Sequence, residues 1–271
     1  MKRILSMGLA LLMLLSAVCI PVSASMPDNP HPYDHEGYIR PGDKFRPYDA
    51  LTRAEMACLL YRMLDDEQKR DSFVGYDCKF ADVGIPQNSW YGLALMNLDL
   101  LGIVKGYEDG TFRPNQPVSR AEFVVLLSRV HELEAGEKSF PDVPKTHWAY
   151  DAIAAAGTAG WINGYEDGTF KPDRNITRAE AVTLVNRTLD RHPDKSHFTK
   201  DMLVWPDNMD QTKWYYADMQ EATNSHTYQM KENSDKTKYE NWTKTLPIRN
   251  WEALEKAWSN ANSSQGNGNV V

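Results

Sequence analysis

Gly106-Tyr107-Glu108-Asp109-Gly110-Thr111-Phe112 returns 58 residues later as Gly164-Tyr165-Glu166-Asp167-Gly168-Thr169-Phe170, and repetition at a fixed period decides the fold. Each copy is followed by a basic residue and a proline. Val118-Ser119-Arg120-Ala121-Glu122 then follows the first copy, and Ile176-Thr177-Arg178-Ala179-Glu180 the second. This second half has a third copy upstream, where Phe45-Arg46-Pro47 leads into Leu51-Thr52-Arg53-Ala54-Glu55. In all three the phenylalanine stands eight residues before the motif arginine.

Working outward, the first half of the unit also recurs. Phe80-Ala81-Asp82-Val83 precedes Trp90-Tyr91, and Phe140-Pro141-Asp142-Val143 precedes Trp148-Ala149-Tyr150. A more divergent copy, Trp205-Pro206-Asp207, precedes Trp214-Tyr215-Tyr216. Each unit thus reads as an aspartate turn, a helix opened by tryptophan, a Gly-rich loop, and a second helix opened by Arg-Ala-Glu. Three second halves and three first halves are present, but offset. The N-terminal copy lacks its leading helix and the C-terminal copy its trailing one. The expected fold class is therefore all-α, three helix-loop-helix units in a pseudo-threefold arrangement. The Trp214 helix is expected to pack beside the Arg53 helix, so that the first and last half-repeats complete one unit. A helix pair cannot bury its apolar face alone, and about three repeats make a stable stack.

Thr52, Ser119 and Thr177 each have glutamate three residues on, the capping box of a helix start. Leu51, Val118 and Ile176 stand just before the cap as hydrophobic staples, and Leu59, Leu126 and Leu184 mark the buried stripe. Capping accounts for Glu55, Glu122 and Glu180. It leaves Arg53, Arg120 and Arg178 unexplained, because a cation at the first helical position opposes the helix macrodipole. A helix N-terminus attracts anions through its N–H groups, and a guanidinium beside it adds a fork for carboxylate or phosphate. The structural alternative pairs each arginine with Asp82, Asp142 or Asp207. For Trp90, Trp148 and Trp214 the choice lies between core packing and a flat wall for a sugar ring. Gly106 and Gly164 read as turn glycines with positive φ that also allow close backbone approach.

Composition narrows the function. With 42% apolar and 11% aromatic residues the chain has the makings of a folded protein. Lys2 and Arg3, a long apolar stretch to Ile20 and small residues at Val22-Ser23-Ala24 read as an export signal, with the mature chain expected near Ser25. Removing those two cations takes the net charge from −7 to −9, which does not fit a nucleic-acid partner. No other segment is apolar enough to span a bilayer, so no membrane contact is expected after cleavage. Once Cys19 leaves with the signal, Cys58 and Cys78 remain, with a disulfide and two separate thiols equally open. Seven histidines show no metal-ligand spacing, and there is no nucleophile turn or phosphate loop. No metal, cofactor or catalytic residue is expected.

These motifs closely resemble the S-layer homology family, whose signature runs from a Phe-x-Asp-Val turn through a Trp-Ala helix and a Gly-Tyr-x-Asp-Gly-Thr-Phe-x-Pro loop to Thr-Arg-Ala-Glu. The resemblance covers roughly residues 35 to 228 and is tightest from Phe140 to Arg187. It implies a three-pronged helical spindle whose grooves hold secondary cell-wall polysaccharide, often pyruvylated, or another peptidoglycan-linked polymer. Arg120 and Arg178 would then meet the ligand carboxylate, with Asp82, Asp142, Trp90 and Trp148 shaping the sugar site. Arg53, Asp207 and Trp214 hold the corresponding positions in the divergent copies. The first loop, from Gly37 to Phe45, is two residues longer than its counterparts. The last half-copy replaces the usual glycine exit with Glu221-Ala222-Thr223-Asn224-Ser225-His226.

The organisation expected is a signal peptide over 1–24, a partial repeat over 25–75, repeats over 76–137 and 138–200, a partial repeat over 201–230, and a tail over 231–271 with a short helix around Trp251 to Trp258 and a disordered end. The function expected is non-catalytic anchoring of a secreted protein at the cell wall or surface. A protein–protein module contacting an S-layer or envelope partner is the alternative, and a wall-active enzyme the weaker one, since a tail this short cannot form a catalytic domain.

Overall fold

The Arg-opened helices begin where their caps stand. The computed structural model describes residues 34–35, 44–64, 78–83, 89–131, 133–247 and 253. The export segment, most of the first loop and, apart from Ala253, the expected tail helix and end lie outside the described residues. Among the described residues there are six α-helices: α1 (Arg53–Met63), α2 (Gly92–Leu100), α3 (Arg120–His131), α4 (Tyr150–Thr158), α5 (Arg178–Thr188) and α6 (Tyr216–Thr223). At α1 and α5 both halves of the capping box form, through Thr52 with Glu55 and Thr177 with Glu180. At α3 the Ser119 N–H reaches Glu122 at 2.8 Å and the Glu122 N–H reaches the serine hydroxyl at 3.2 Å. None of these helices is long and apolar enough to cross a membrane.

The three staple residues meet one another. The Leu51 N–H donates to the Ile176 carbonyl at 3.0 Å, Ile176 to Val118 at 2.9 Å, and Val118 to Leu51 at 2.9 Å. Leu51, Val118 and Ile176 are buried, so this closed triangle of backbone bonds satisfies three amides that water cannot reach. Around it pack Leu59, Leu60, Leu126, Leu127, Leu184 and Val185, all buried. Phe112 and Phe170 are fully enclosed, and burying such a ring is worth about 1.5–3 kcal/mol.

Each Arg-opened helix carries the Trp-opened helix that follows it: α2 lies on α1, α4 on α3, and α6 on α5. The Trp214 helix therefore packs against α5 rather than against α1. Two buried polar residues of α5 fix this choice. Thr183 and Asn186 hydrogen-bond the Asp218 carboxylate of α6 at 2.8 and 2.9 Å, and a buried carboxylate without such partners would be costly. The two ends of the chain join elsewhere. Asp207 accepts from the Phe45 and Arg46 N–H groups at 2.8 and 2.7 Å, and Tyr48 meets Tyr215 edge-on at 5.4 Å.

The all-α expectation is corrected by an antiparallel sheet. Strands β1 (Asp34–His35), β2 (His226–Glu232) and β3 (Lys238–Thr245) lie in the order β1-β2-β3. The long pair runs from His226 opposite Thr245 to Glu232 opposite Lys238, with an irregularity between Thr227 and Tyr228. β2 begins where the last half-copy abandons its glycine exit, and it continues across residues 230 and 231. The strand pattern is masked in sequence because the inward positions of this pair include His226 and Glu240 beside Trp242. Polar residues at buried positions erase the alternation by which a strand is recognised.

Candidate ligand cleft

Three loops with the same construction set the site. In each, an aspartate grips two consecutive backbone N–H groups. Asp82 holds Phe112 and Arg113 at 2.7 Å each, Asp142 holds Phe170 and Lys171 at 2.8 and 2.6 Å, and Asp207 holds Phe45 and Arg46. The second residue of each pair, Arg46, Arg113 or Lys171, has φ of 57°. That left-handed conformation is unfavourable for a side-chain-bearing residue, and a carboxylate accepting two amides compensates for it. The aspartates therefore act first as loop clamps. Gly106 and Gly164 have φ of 71° and 81°, and a Cβ there would lie 2.5 Å from Phe80 and 2.8 Å from Phe140. Positive φ and contact with the turn phenylalanine both demand glycine.

Arg53 and Arg120 are buried and Arg178 is half-buried, and the fold engages all three. Arg53 donates from Nε to the Phe112 carbonyl at 2.6 Å and lies 3.4 Å from Glu122. Arg120 reaches the Phe170 carbonyl at 2.9 Å and Glu180 at 3.5 Å. Arg178 reaches the Phe45 carbonyl and Glu55 at 2.8 Å each. Each guanidinium also faces an aromatic ring: Tyr107 and Phe112 for Arg53, Tyr165 and Phe170 for Arg120, Phe45 for Arg178. The arginine partner is thus the capping-box glutamate of another repeat, not Asp82, Asp142 or Asp207.

The helix N-termini are occupied as well. Arg53 and Ala54 N–H groups bond the Gln116 and Pro114 carbonyls at 2.9 Å. Arg120 and Ala121 use Arg174 and Pro172, and Arg178 and Ala179 use Asp49 and Pro47, at 2.9 to 3.0 Å. The sequence-based expectation of free amides for an anion is overturned at all three helices. Loop carbonyls of a neighbouring repeat take that place, and they also make the first-turn arginine tolerable by bringing negative charge to it.

The glutamates carry the electrostatic consequence. At Glu55 burial alone would raise the pKa, but the Thr52 N–H and Arg178 outweigh it and hold the carboxyl below its ordinary 4.5. At Glu180 burial is likewise outweighed, by the Thr177 N–H, the Tyr165 hydroxyl and Arg120. Burial and the bond to Glu180 push Tyr165 up to about 12, so it remains the donor. Carboxyls with lowered folded pKa values stabilise the protein above the unfolded value and lose that contribution as pH falls through the folded one. The urea midpoint should therefore hold down to about pH 5 and fall below it. Glu180→Gln should flatten part of the fall, and an unchanged acid limb in that variant would remove Glu180 from the account.

Trp90, Trp148 and Trp214 are 62%, 63% and 58% exposed, which removes them from the core. Trp90 borders a cleft of about 170 Å³ formed where α1 meets the start of α5. Its lining includes Leu51, Cys58 and Leu59, with the Arg178–Glu55 pair and Arg62 also facing the space. Trp90 and Arg178 share this cleft, whereas Trp148 stands in the turn just before α4, the helix that packs against α3. Arg62 was not singled out in sequence. The signal was present: an arginine recurs nine residues after each motif arginine, at Arg62, Arg129 and Arg187. Arg129 and Arg187 donate to the Ile103 and Trp161 carbonyls at 2.8 and 3.0 Å. Cys58 and Cys78 are not joined in a disulfide: the Cys58 thiol lies on the cleft wall 4.0 Å from the Trp90 carbonyl, and the Cys78 thiol 4.0 Å from the Phe80 carbonyl.

The comparisons agree with the repeat architecture. The S-layer homology domain family matches residues 79–124 and 139–182. The chain is 30% identical over 75% of its length to cell surface glycoprotein 1 of Acetivibrio thermocellus, of which it covers 9%. It is 29% identical over 76% of its length to the cellulosome-anchoring protein of the same organism, covering 46% of that protein. A surface layer protein of Brevibacillus choshinensis is 35% identical over 41% of this chain, which spans 10% of it. The chain thus spans less than half the length of each of these curated relatives. By its two matched repeats, and by the clamps and capping boxes that they share with the half-repeats at either end, the chain belongs to the S-layer homology family.

Proposed function

We propose that this protein is a non-catalytic anchor that binds an anionic secondary cell-wall polysaccharide, or another peptidoglycan-linked polymer, in the cleft between α1 and α5. Its family and the surface proteins among its relatives place it at the cell surface. The observation that carries the reading is the exposed Trp90 ring beside a small cleft that also holds Arg178 and Arg62. A flat apolar ring suits one face of a sugar, and a guanidinium suits a carboxylate substituent on it. In this reading Arg178 stays paired with Glu55 and contributes the edge of its guanidinium that faces the cleft, while Arg62 supplies the second cation. Asp82, Asp142, Asp207, Gly106 and Gly164 act from behind, by fixing the loops on which the cleft rests. The names of the relatives, a cellulosome-anchoring protein and surface layer proteins, accord with attachment to the wall. By repeat equivalence Arg53 with Trp148 and Arg120 with Trp214 hold the corresponding positions in the other two repeats.

Exposure of Trp90 also makes it the variant of choice, since its removal leaves the core intact, whereas alanine at a buried motif arginine would unpair a glutamate. The purified protein should co-sediment with cell-wall sacculi and lose that association when the secondary polymer is stripped from them. Trp90→Ala should weaken the association about tenfold, the worth of one ring-face contact, with an unchanged melting temperature. Retention on stripped sacculi would move the assignment to a protein partner in the envelope.

A further inference from the structure

The exit of α6, where the last half-copy departs from the repeat, brings together three side chains that the proposed anchoring does not use. Glu221 on α6, His226 at the start of β2 and Glu240 on β3 are each fully buried. One ligand atom from each lies within 4.8 Å of the other two. His226 Nε2 is 3.4 Å from a Glu221 oxygen and 3.5 Å from a Glu240 oxygen.

The outer atoms of all three are separately held. His226 Nδ1 lies 3.0 Å from the Asn224 carbonyl. A carbonyl can only accept, so Nδ1 carries a proton, and Nε2 is the ring nitrogen turned toward the two carboxylates. Arg191 holds the outer oxygen of Glu221 at 3.2 Å, and the His192 N–H holds that of Glu240 at 2.6 Å. Trp242 stacks on the imidazole with centroids 3.7 Å apart, fixing the ring plane. Three possible ligand atoms are thereby gathered in one place, each anchored through its residue's other end, as the outer shell of a metal site anchors its ligands.

Two buried carboxylates on either side of an imidazole nitrogen call for a cation between them, either a proton or a metal ion. A proton on Nε2 would have to serve two oxygens at 3.4 and 3.5 Å, well beyond the ~2.7–2.9 Å of a charge-assisted bond. Those separations do match neighbouring ligands around a tetrahedral ion with bonds of about 2.0–2.1 Å, which lie roughly 3.3–3.4 Å apart. One imidazole with two carboxylates suits zinc and its neighbours, whereas calcium and magnesium prefer oxygen-only shells of six or more ligands. We propose that Glu221, His226 and Glu240 bind a divalent transition-metal ion of the zinc class, which clamps the β2-β3 hairpin onto the last helix of the spindle. The ion occupies a position closed to solvent, so it is loaded as the hairpin docks during folding.

The test uses the full chain without a histidine tag, refolded from urea with Co²⁺ or Zn²⁺ and then dialysed. The expected result is one metal ion per chain by elemental analysis, visible Co²⁺ absorption bands of tetrahedral type, and a melting temperature several degrees above that of chelator-treated protein. Glu240→Gln and His226→Gln, which nearly preserve volume, should abolish both the stoichiometric uptake and the metal-dependent rise. Two results would overturn the proposal. One is wild-type protein that refolds with native circular dichroism yet takes up no metal, which leaves the cluster bridged by a proton. The other is uptake that survives in both variants, which places the ion elsewhere. Neither result depends on whether the cleft binds polysaccharide.

Discussion

Glu180→Ala is expected to lower the unfolding free energy by about 3–5 kcal/mol, the cost of leaving a buried partner charge unpaired. Glu180 closes the α5 capping box, accepts from the Tyr165 hydroxyl at 2.7 Å, and lies 3.5 Å from the Arg120 guanidinium. The two side chains of that ion pair are only 8% and 11% exposed, so solvent does little to replace what is removed. Burial also lowers the pKa of Arg120, the sign of a guanidinium that relies on its neighbours for compensation. Glu180→Gln keeps an acceptor of the same shape while losing the charge, and about half the loss is expected from it. Urea unfolding at constant slope is the measurement. A loss below about 1 kcal/mol in the alanine variant would mean that this node is worth no more than a surface pair.

Asp142→Ala is expected to cost about 2–4 kcal/mol, since two backbone donors lose their acceptor at once. One of them belongs to Phe170, whose ring is fully buried, and the other to Lys171, held at φ of 57°. With the clamp removed, the loop is free to leave the left-handed conformation, and Arg120 then loses the Phe170 carbonyl that it grips at 2.9 Å. Asparagine retains one carbonyl oxygen in place of two, so Asp142→Asn should fall between wild type and alanine. Near-equal stability of all three proteins would assign the aspartate to the ligand rather than to the loop.

Much of this was legible in the sequence because the repeat supplies three readings of every position. Thr52, Ser119 and Thr177 with their glutamates predict the helix starts, and Leu51, Val118 and Ile176 predict a buried neighbour. What the sequence could not show is which repeat each group serves. Arg53 pairs with Glu122, 69 residues away, and Arg178 with Glu55, 123 residues away. Those pairings depend on the closed triangle at the axis. The same gap hid the carbonyls that occupy the helix N-termini, since only the packed repeats bring Pro114, Pro172 and Pro47 onto the first turns. The hairpin was hidden for a different reason. Its buried positions carry His226 and Glu240, which read as solvent-facing residues until Glu221 and the 191–192 segment are placed against them.

The fold and the exposed tryptophans leave one claim on which the functional account rests, that the cleft beside Trp90 recognises an acidic glycan. Calorimetric titration of the protein with purified secondary cell-wall polysaccharide, native and stripped of its acidic substituents, measures it directly. The account predicts saturable binding to the native polymer, with affinity at least about tenfold lower for the stripped polymer, the worth of roughly 1.4 kcal/mol in lost charge-assisted contact. Trp90→Ala should show a comparable loss on the native polymer. Equal affinity for native and stripped polymer, or no effect of Trp90→Ala, would contradict it.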